Sequence, residues 1–151
     1  FTKADMEGVG LNNYKVVLPN YFAFVPVTSR NGEKISLAYN DGVDTYIVSS
    51  SYSVFYISDE KLYAPYLNII LNRQEFNRYA RFNSWGSARE SFNFEDMCNV
   101  KIPIPAIEVQ KSIADIFKVY NTRKRINEQL KAQIKDICPI LIKGSIDEAR
   151  R

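Results

Sequence analysis

Hydrophobic positions along the chain fall into three regimes, each with its own period. From Tyr14 to Ile57 they come in short runs separated by turn residues, the pattern of β-strands. Tyr14-Lys15-Val16-Val17 reads as a short strand closed by Leu18-Pro19-Asn20. Tyr21 to Val27 reads as an aromatic strand in which Pro26 implies an edge or an end. Thr28 to Gly32 is a turn cluster, Lys34 to Tyr39 another strand, and Asn40-Asp41-Gly42 another turn. The longest β signal, Tyr46 to Ile57, is interrupted at Ser49-Ser50-Ser51, where a bulge or a break between two strands is expected.

The second regime is helical. Tyr63-Ala64-Pro65 opens a helix with proline in its first turn, where the missing N–H costs nothing. Leu67, Ile70, Leu71, Phe76, Tyr79 and Ala80 form its buried stripe, with Arg73, Arg78 and Arg81 off it. Phe82 to Arg89 has turn chemistry and no period, and reads as a loop. Asn93, followed by Glu95 and Asp96, predicts the cap and acidic first turn of a short helix ending near Asn99. Val100-Lys101-Ile102 is expected as a brief strand, and Pro103 and Pro105 bracket an extended joint.

The third regime is a heptad. Val109, Ile113, Ile116, Tyr120, Arg123, Asn127, Leu130, Ile134, Ile137 and Leu141 step alternately by four and three, the seam of a left-handed coiled coil. Pro139 predicts that the regular helix ends near Ile137, with Leu141 outside it or on a kinked extension. About 31 residues at 1.5 Å each give a rod of roughly 46 Å. Such a seam, exposed in water, calls for a partner helix. Arg123 and Asn127 would face each other's counterparts in an antiparallel pair centred near Arg125, and a buried polar layer of this kind can fix register. Alternatively, Arg123 snorkels out of the seam.

Composition limits what this architecture can do. With 151 residues and 46% hydrophobic content there is material for one core, so disorder is not the default. Ten tyrosines and nine phenylalanines favour a body with many half-buried rings. A net charge of +3 permits a nucleic-acid partner without demanding one. The absence of histidine excludes histidine-based acid–base catalysis and histidine metal ligation within this chain. Cys98 and Cys138 are not at metal-ligand spacing, and read as buried or idle thiols in a reduced, cytoplasmic setting. No apolar run approaches the roughly 18 residues of a membrane span. The opening residue Phe1 suggests that an N-terminal portion is missing.

The junction Ile102-Pro103-Ile104-Pro105-Ala106-Ile107-Glu108-Val109-Gln110, followed by Ile113-Ala114 and a basic heptad helix, closely resembles one found in specificity subunits of type I restriction-modification systems. There the target recognition domain meets a conserved helix through a pattern like I-P-[LI]-P-x-[LI]-x-E-Q. Val109 departs from it where the family has glutamate, while Glu108 keeps a negative charge at the helix start and Gln110 is retained. Weaker family features follow in order upstream: Tyr14 to Val17 with Tyr21 to Phe24, Val48 to Phe55, Leu62 to Leu67, and Gly86-Ser87-Ala88-Arg89.

The resemblance implies an α+β fold in which a small α/β target recognition head, residues 1–105 and incomplete at its N-terminus, precedes a spacer and dimerisation helix over 106–143 and a tail over 144–151. It implies a non-catalytic reader of double-stranded DNA, without cofactor or metal. Such a reader directs methyltransferase and restriction subunits to a bipartite site. Its second half, an identical chain or the rest of the same subunit, would pair through the long helix at Val109, Ile113, Ile116, Tyr120, Arg123, Asn127, Leu130, Ile134 and Ile137.

Reading bases needs side chains that reach groove edges, with lysine and arginine holding phosphates beside them. The best local cluster is Arg78, Arg81, Ser84, Trp85, Gly86, Ser87 and Arg89; Arg30, Asn31 and Lys34 form a second candidate loop. Any single arginine here could instead be a solvated surface residue, and Trp85 either a core plug or a rim residue. Lys111, Lys118, Lys124, Arg125, Lys131 and Lys135 along the helix read as a solvated flank, or alternatively as a surface that docks DNA or the methyltransferase. Asp59-Glu60-Lys61 matches only the acidic-x-Lys part of a nuclease signature, and no Asn-Pro-Pro-Tyr-like methyltransferase motif is present. The rival readings are a coiled-coil interaction module without DNA reading, and the recognition region of a fused restriction-methylation enzyme.

Overall fold

The computed structural model describes residues 10–28, 34–87 and 89–149. The chain divides into two units, Phe1–Ser112 and Ile113–Arg151.

In the first unit the strands are short because turn residues interrupt them every few positions. β1 (Lys15–Val17) pairs antiparallel with β4 (Tyr46–Val48), Val16 opposite Ile47. The chain leaves β1 through Asn20, whose φ of 65° is left-handed and suits asparagine. β2 (Phe22–Phe24) is the centre of a second sheet, between β3 (Leu37–Tyr39) and β5 (Ser53–Phe55), all antiparallel; Phe22 sits opposite both Tyr39 and Phe55. The interruption at Ser49 to Ser51 is therefore a true break, after which the chain changes sheet. Tyr52 N–H closes it on the Ser49 carbonyl at 3.1 Å.

Every residue of β2 is fully buried, because its side chains alternate between two cores. Ala23 packs with Val17 and Val48 of the first sheet. Phe22 and Phe24 face the other way, into a cluster with Leu67, Leu71, Phe76, Ala80, Phe92 and Met97. Burial of each phenylalanine stabilises by about 1.5–3 kcal/mol, so β2 is the principal apolar anchor of this unit.

The expected single helix after Tyr63 is two: α1 (Ala64–Leu71) and α2 (Gln74–Phe82). Leu67 and Leu71 share a face, as do Phe76 and Ala80, but the five-residue step from Leu71 to Phe76 would turn the second pair about 140° away on a continuous helix. The break at Asn72 and extended Arg73 brings both pairs to one core. Asn72 seals the end of α1 by donating its side-chain amide to the Asn68 carbonyl at 2.8 Å. α3 (Phe94–Cys98) begins where expected, the Asp96 carboxylate accepting from Asn93 N–H at 2.8 Å. Val100 to Ile102 is not a strand; Val100 and Ile102 pack on the core without pairing to another strand. Cys98 and Cys138 are free and exposed, which removes the buried alternative for both.

The family-like junction is locked by Gln110, fully buried in the first turns of α4 (Ile107–Ala149). Its Oε1 accepts from Tyr63 N–H at 2.9 Å, and its Nε2 donates to the carbonyls of Lys61 and Pro105 at 2.8 and 2.7 Å. The Tyr66 hydroxyl donates to the Pro103 carbonyl at 3.0 Å and holds the preceding extended segment.

The second unit is the remainder of α4, roughly 55 Å of helix at 1.5 Å per residue. The expected end near Ile137 is overturned: the helix passes through Pro139, and the segment expected as a tail is helical to Ala149. Proline removes one backbone bond and costs about 3 kcal/mol inside a helix. Lys135, whose carbonyl loses its partner, is exposed, so water can satisfy it. Ile113, Ile116, Tyr120, Leu130, Ile134, Ile137 and Leu141 all face solvent, as do Ile126 and Ile140 beside them. No helix among the described residues is long and apolar enough to cross a membrane.

Candidate nucleic-acid interface

The end of α2 and the loop after it are pinned by a short polar relay. The Ser84 hydroxyl donates to the Ala80 carbonyl at 2.7 Å. The Thr28 hydroxyl, buried, shares its proton between Ser84 Oγ and the Glu90 carbonyl, each at 3.1 Å. Thr28 N–H reaches that carbonyl too, at 2.9 Å. Trp85 and Ser91 exchange two backbone bonds, 3.1 and 3.0 Å, and so close the base of a tip. Gly86 is required in that tip. Its φ is 139°, and a Cβ there would collide with the Arg89 carbonyl.

This scaffold sorts the predicted contacts. Arg78, Arg81, Trp85, Ser87 and Arg89 are brought together on α2 and the adjoining tip, and all are exposed. Trp85 is 71% exposed, which removes the core-plug alternative. Ser84 points inward: its hydroxyl proton is committed to the relay, so its place in the cluster is structural. Lys34 is exposed and lies beside α2, since Ile35 N–H donates to Asn77 Oδ1 at 3.0 Å. Arg30 and Asn31 lie outside the described residues. Sequence reasoning missed three contributors. Thr28 fell in a turn cluster, Asn77 drew no reading, and Phe82 is a further exposed ring at the end of α2.

Of the four arginines here, two are paired among the described residues and two are not. Arg81 pairs with Glu90, and Arg73 with Glu75 at 3.3 Å. Among the described residues Arg78 and Arg89 have no ion-pair partner. The Glu75 carboxyl is held below the usual glutamate range, first by its own backbone N–H at the start of α2 and then by Arg73. Exposed guanidinium groups that attract phosphate, rings that can stack, and short polar side chains on a fixed tip are the equipment of a nucleic-acid-binding surface.

That class agrees with the comparison to known families. Residues 11–136 match the family described as Type I restriction modification DNA specificity domain, and the chain belongs to it. Its business is DNA recognition within type I restriction-modification. The match runs through the head and into α4, covering the Gln110 junction. No curated protein matches the chain.

Proposed function

We propose that this chain is one half of a specificity subunit. The head reads one part of a bipartite DNA site in the cytoplasm, and α4 pairs antiparallel with the helix of a second half, here a second copy. The chain is non-catalytic in this reading: methyltransferase and restriction subunits carry out the chemistry at the site it selects. The observation that carries the proposal is the pinned tip with Arg78, Arg81, Trp85 and Arg89 facing solvent. Arg81→Ala and Arg89→Ala, in the assembly with methyltransferase subunits, weaken specific DNA binding; unchanged affinity and salt slope in both would refute the assignment.

Support for pairing comes from the exposed seam of α4. In an antiparallel pair centred near Arg125, Ile116 meets Ile134 and Tyr120 meets Leu130, leaving Arg123 opposite Asn127 as the central polar layer. The same exposed seam favours a second reading, a pairing module that does not read DNA. Mobility shifts on random duplexes with and without methyltransferase subunits separate the two: sequence preference belongs only to the first.

A further inference from the structure

Of the arginines around the tip, Arg81 alone is paired, and its partner is unusually constrained. The backbone of Glu90 is fixed on both sides: its carbonyl takes two bonds from Thr28, and Ser91 is bridged to both Trp85 and Val27. The carboxylate Oε2 is closed off from solvent and has no aligned hydrogen bond, and the Arg81 guanidinium is the cation that faces it. The Glu90 side chain as a whole stays 40% exposed, so the pair is partly solvated and modest in energy, and what it sets is the direction of the Arg81 guanidinium rather than stability. Arg81 keeps 47% of its side chain exposed while one nitrogen, Nη1, faces Glu90.

From this geometry we infer that Glu90 is a positioning residue for sequence reading: it does not touch DNA but fixes the Arg81 guanidinium in one orientation, presenting its free edge to the O6 and N7 acceptors of a guanine. Arg78 and Arg89, unpaired, serve as phosphate contacts. The inference rests on the DNA-reading assignment of the tip. Its chemical basis is that bidentate recognition of guanine needs a planar fork held in register, whereas a phosphate accepts a mobile cation. Ordering the arginine in the folded protein moves the entropic cost of fixing it from binding to folding.

The test uses the chain assembled with methyltransferase subunits and a duplex carrying the site selected from random DNA, with a scrambled duplex as control. Glu90→Gln abolishes the charge that holds Arg81. It weakens binding to the selected site about tenfold, in the range of one lost base contact, and relaxes preference at the same base pair as Arg81→Ala. Binding to scrambled DNA is unchanged or tighter, because a negative charge has gone, and the salt slope does not fall. Arg78→Ala and Arg89→Ala instead lower the salt slope by about one each and weaken both duplexes alike. Arg81→Lys keeps the ion pair and the charge but not the fork; it also relaxes that base pair, which guards against a Glu90 variant that misfolds. A Glu90→Gln chain that binds the selected site as tightly as the parent, or relaxes a different base pair, overturns the inference. If Arg81→Ala relaxes a base pair and Glu90→Gln does not, only the role of Glu90 falls. If neither Arg81→Ala nor Arg89→Ala changes binding, the DNA-reading assignment falls, and the role of Glu90 with it.

Discussion

Replacing Ile134 by alanine probes the pairing of α4 where its geometry is simplest. Ile134 is 59% exposed and Ile116, its counterpart in the proposed antiparallel pair, 70% exposed. Full burial of an isoleucine stabilises by about 1.5–3 kcal/mol, so covering the exposed share of Ile134 contributes roughly 1–2 kcal/mol. Symmetry repeats the substitution in a pair of identical chains, and the loss becomes about 2–4 kcal/mol. At roughly 1.4 kcal/mol per decade, the dissociation constant rises by about 30- to 700-fold. Sedimentation equilibrium over a range of concentrations measures this directly. The melting temperature of the head should stay within experimental error, since Ile134 belongs to the second unit. A dissociation constant within threefold of the parent chain, or a parent that stays monomeric at every concentration, would refute the reasoning.

Other expectations follow from single side chains. Gln110→Ala leaves the Tyr63 N–H and two carbonyls without their partner, and urea unfolding should show a loss of about 2–4 kcal/mol. Gln110→Glu should be comparably damaging, because a carboxylate can still accept from Tyr63 but cannot donate to the carbonyls of Lys61 and Pro105; wild-type stability in either variant contradicts the lock. Gly86→Ala should displace the tip, giving weakened specific DNA binding by anisotropy with a circular dichroism melt close to the parent. The Glu75 carboxyl should titrate below a free glutamate when followed by carbon NMR. A depressed folded-state value means a small stabilisation present at neutral pH and lost as pH falls through it, so the stability difference between parent and Glu75→Gln should shrink in acid.

Periodicity and turn chemistry made most of the fold legible. The β segments, the break at Ser49 to Ser51, the cap of α3 and the long exposed helix are all set by local pattern. The division of α1 from α2 was written in the five-residue step from Leu71 to Phe76, but it becomes visible only once both pairs must share a core. Pro139 misled because the proline rule is local, whereas the chain on either side remains helical. At the candidate site, residue type was enough to single out the arginines and Trp85, which the fold leaves exposed. It was not enough to separate Ser84, which builds the tip, from Ser87, which is exposed on it. Thr28 lies far from the tip in sequence, and only tertiary structure brings it to Ser84 and Glu90.

Selection from a pool of random duplexes, using the chain assembled with methyltransferase subunits, tests the central claim most directly. Two identical heads related by an antiparallel helix pair have two-fold symmetry, so the enriched site should be an inverted repeat of two short half-sites at one constant spacing. Recovery of no enriched sequence, or of a single uninterrupted motif without symmetry, would contradict the account.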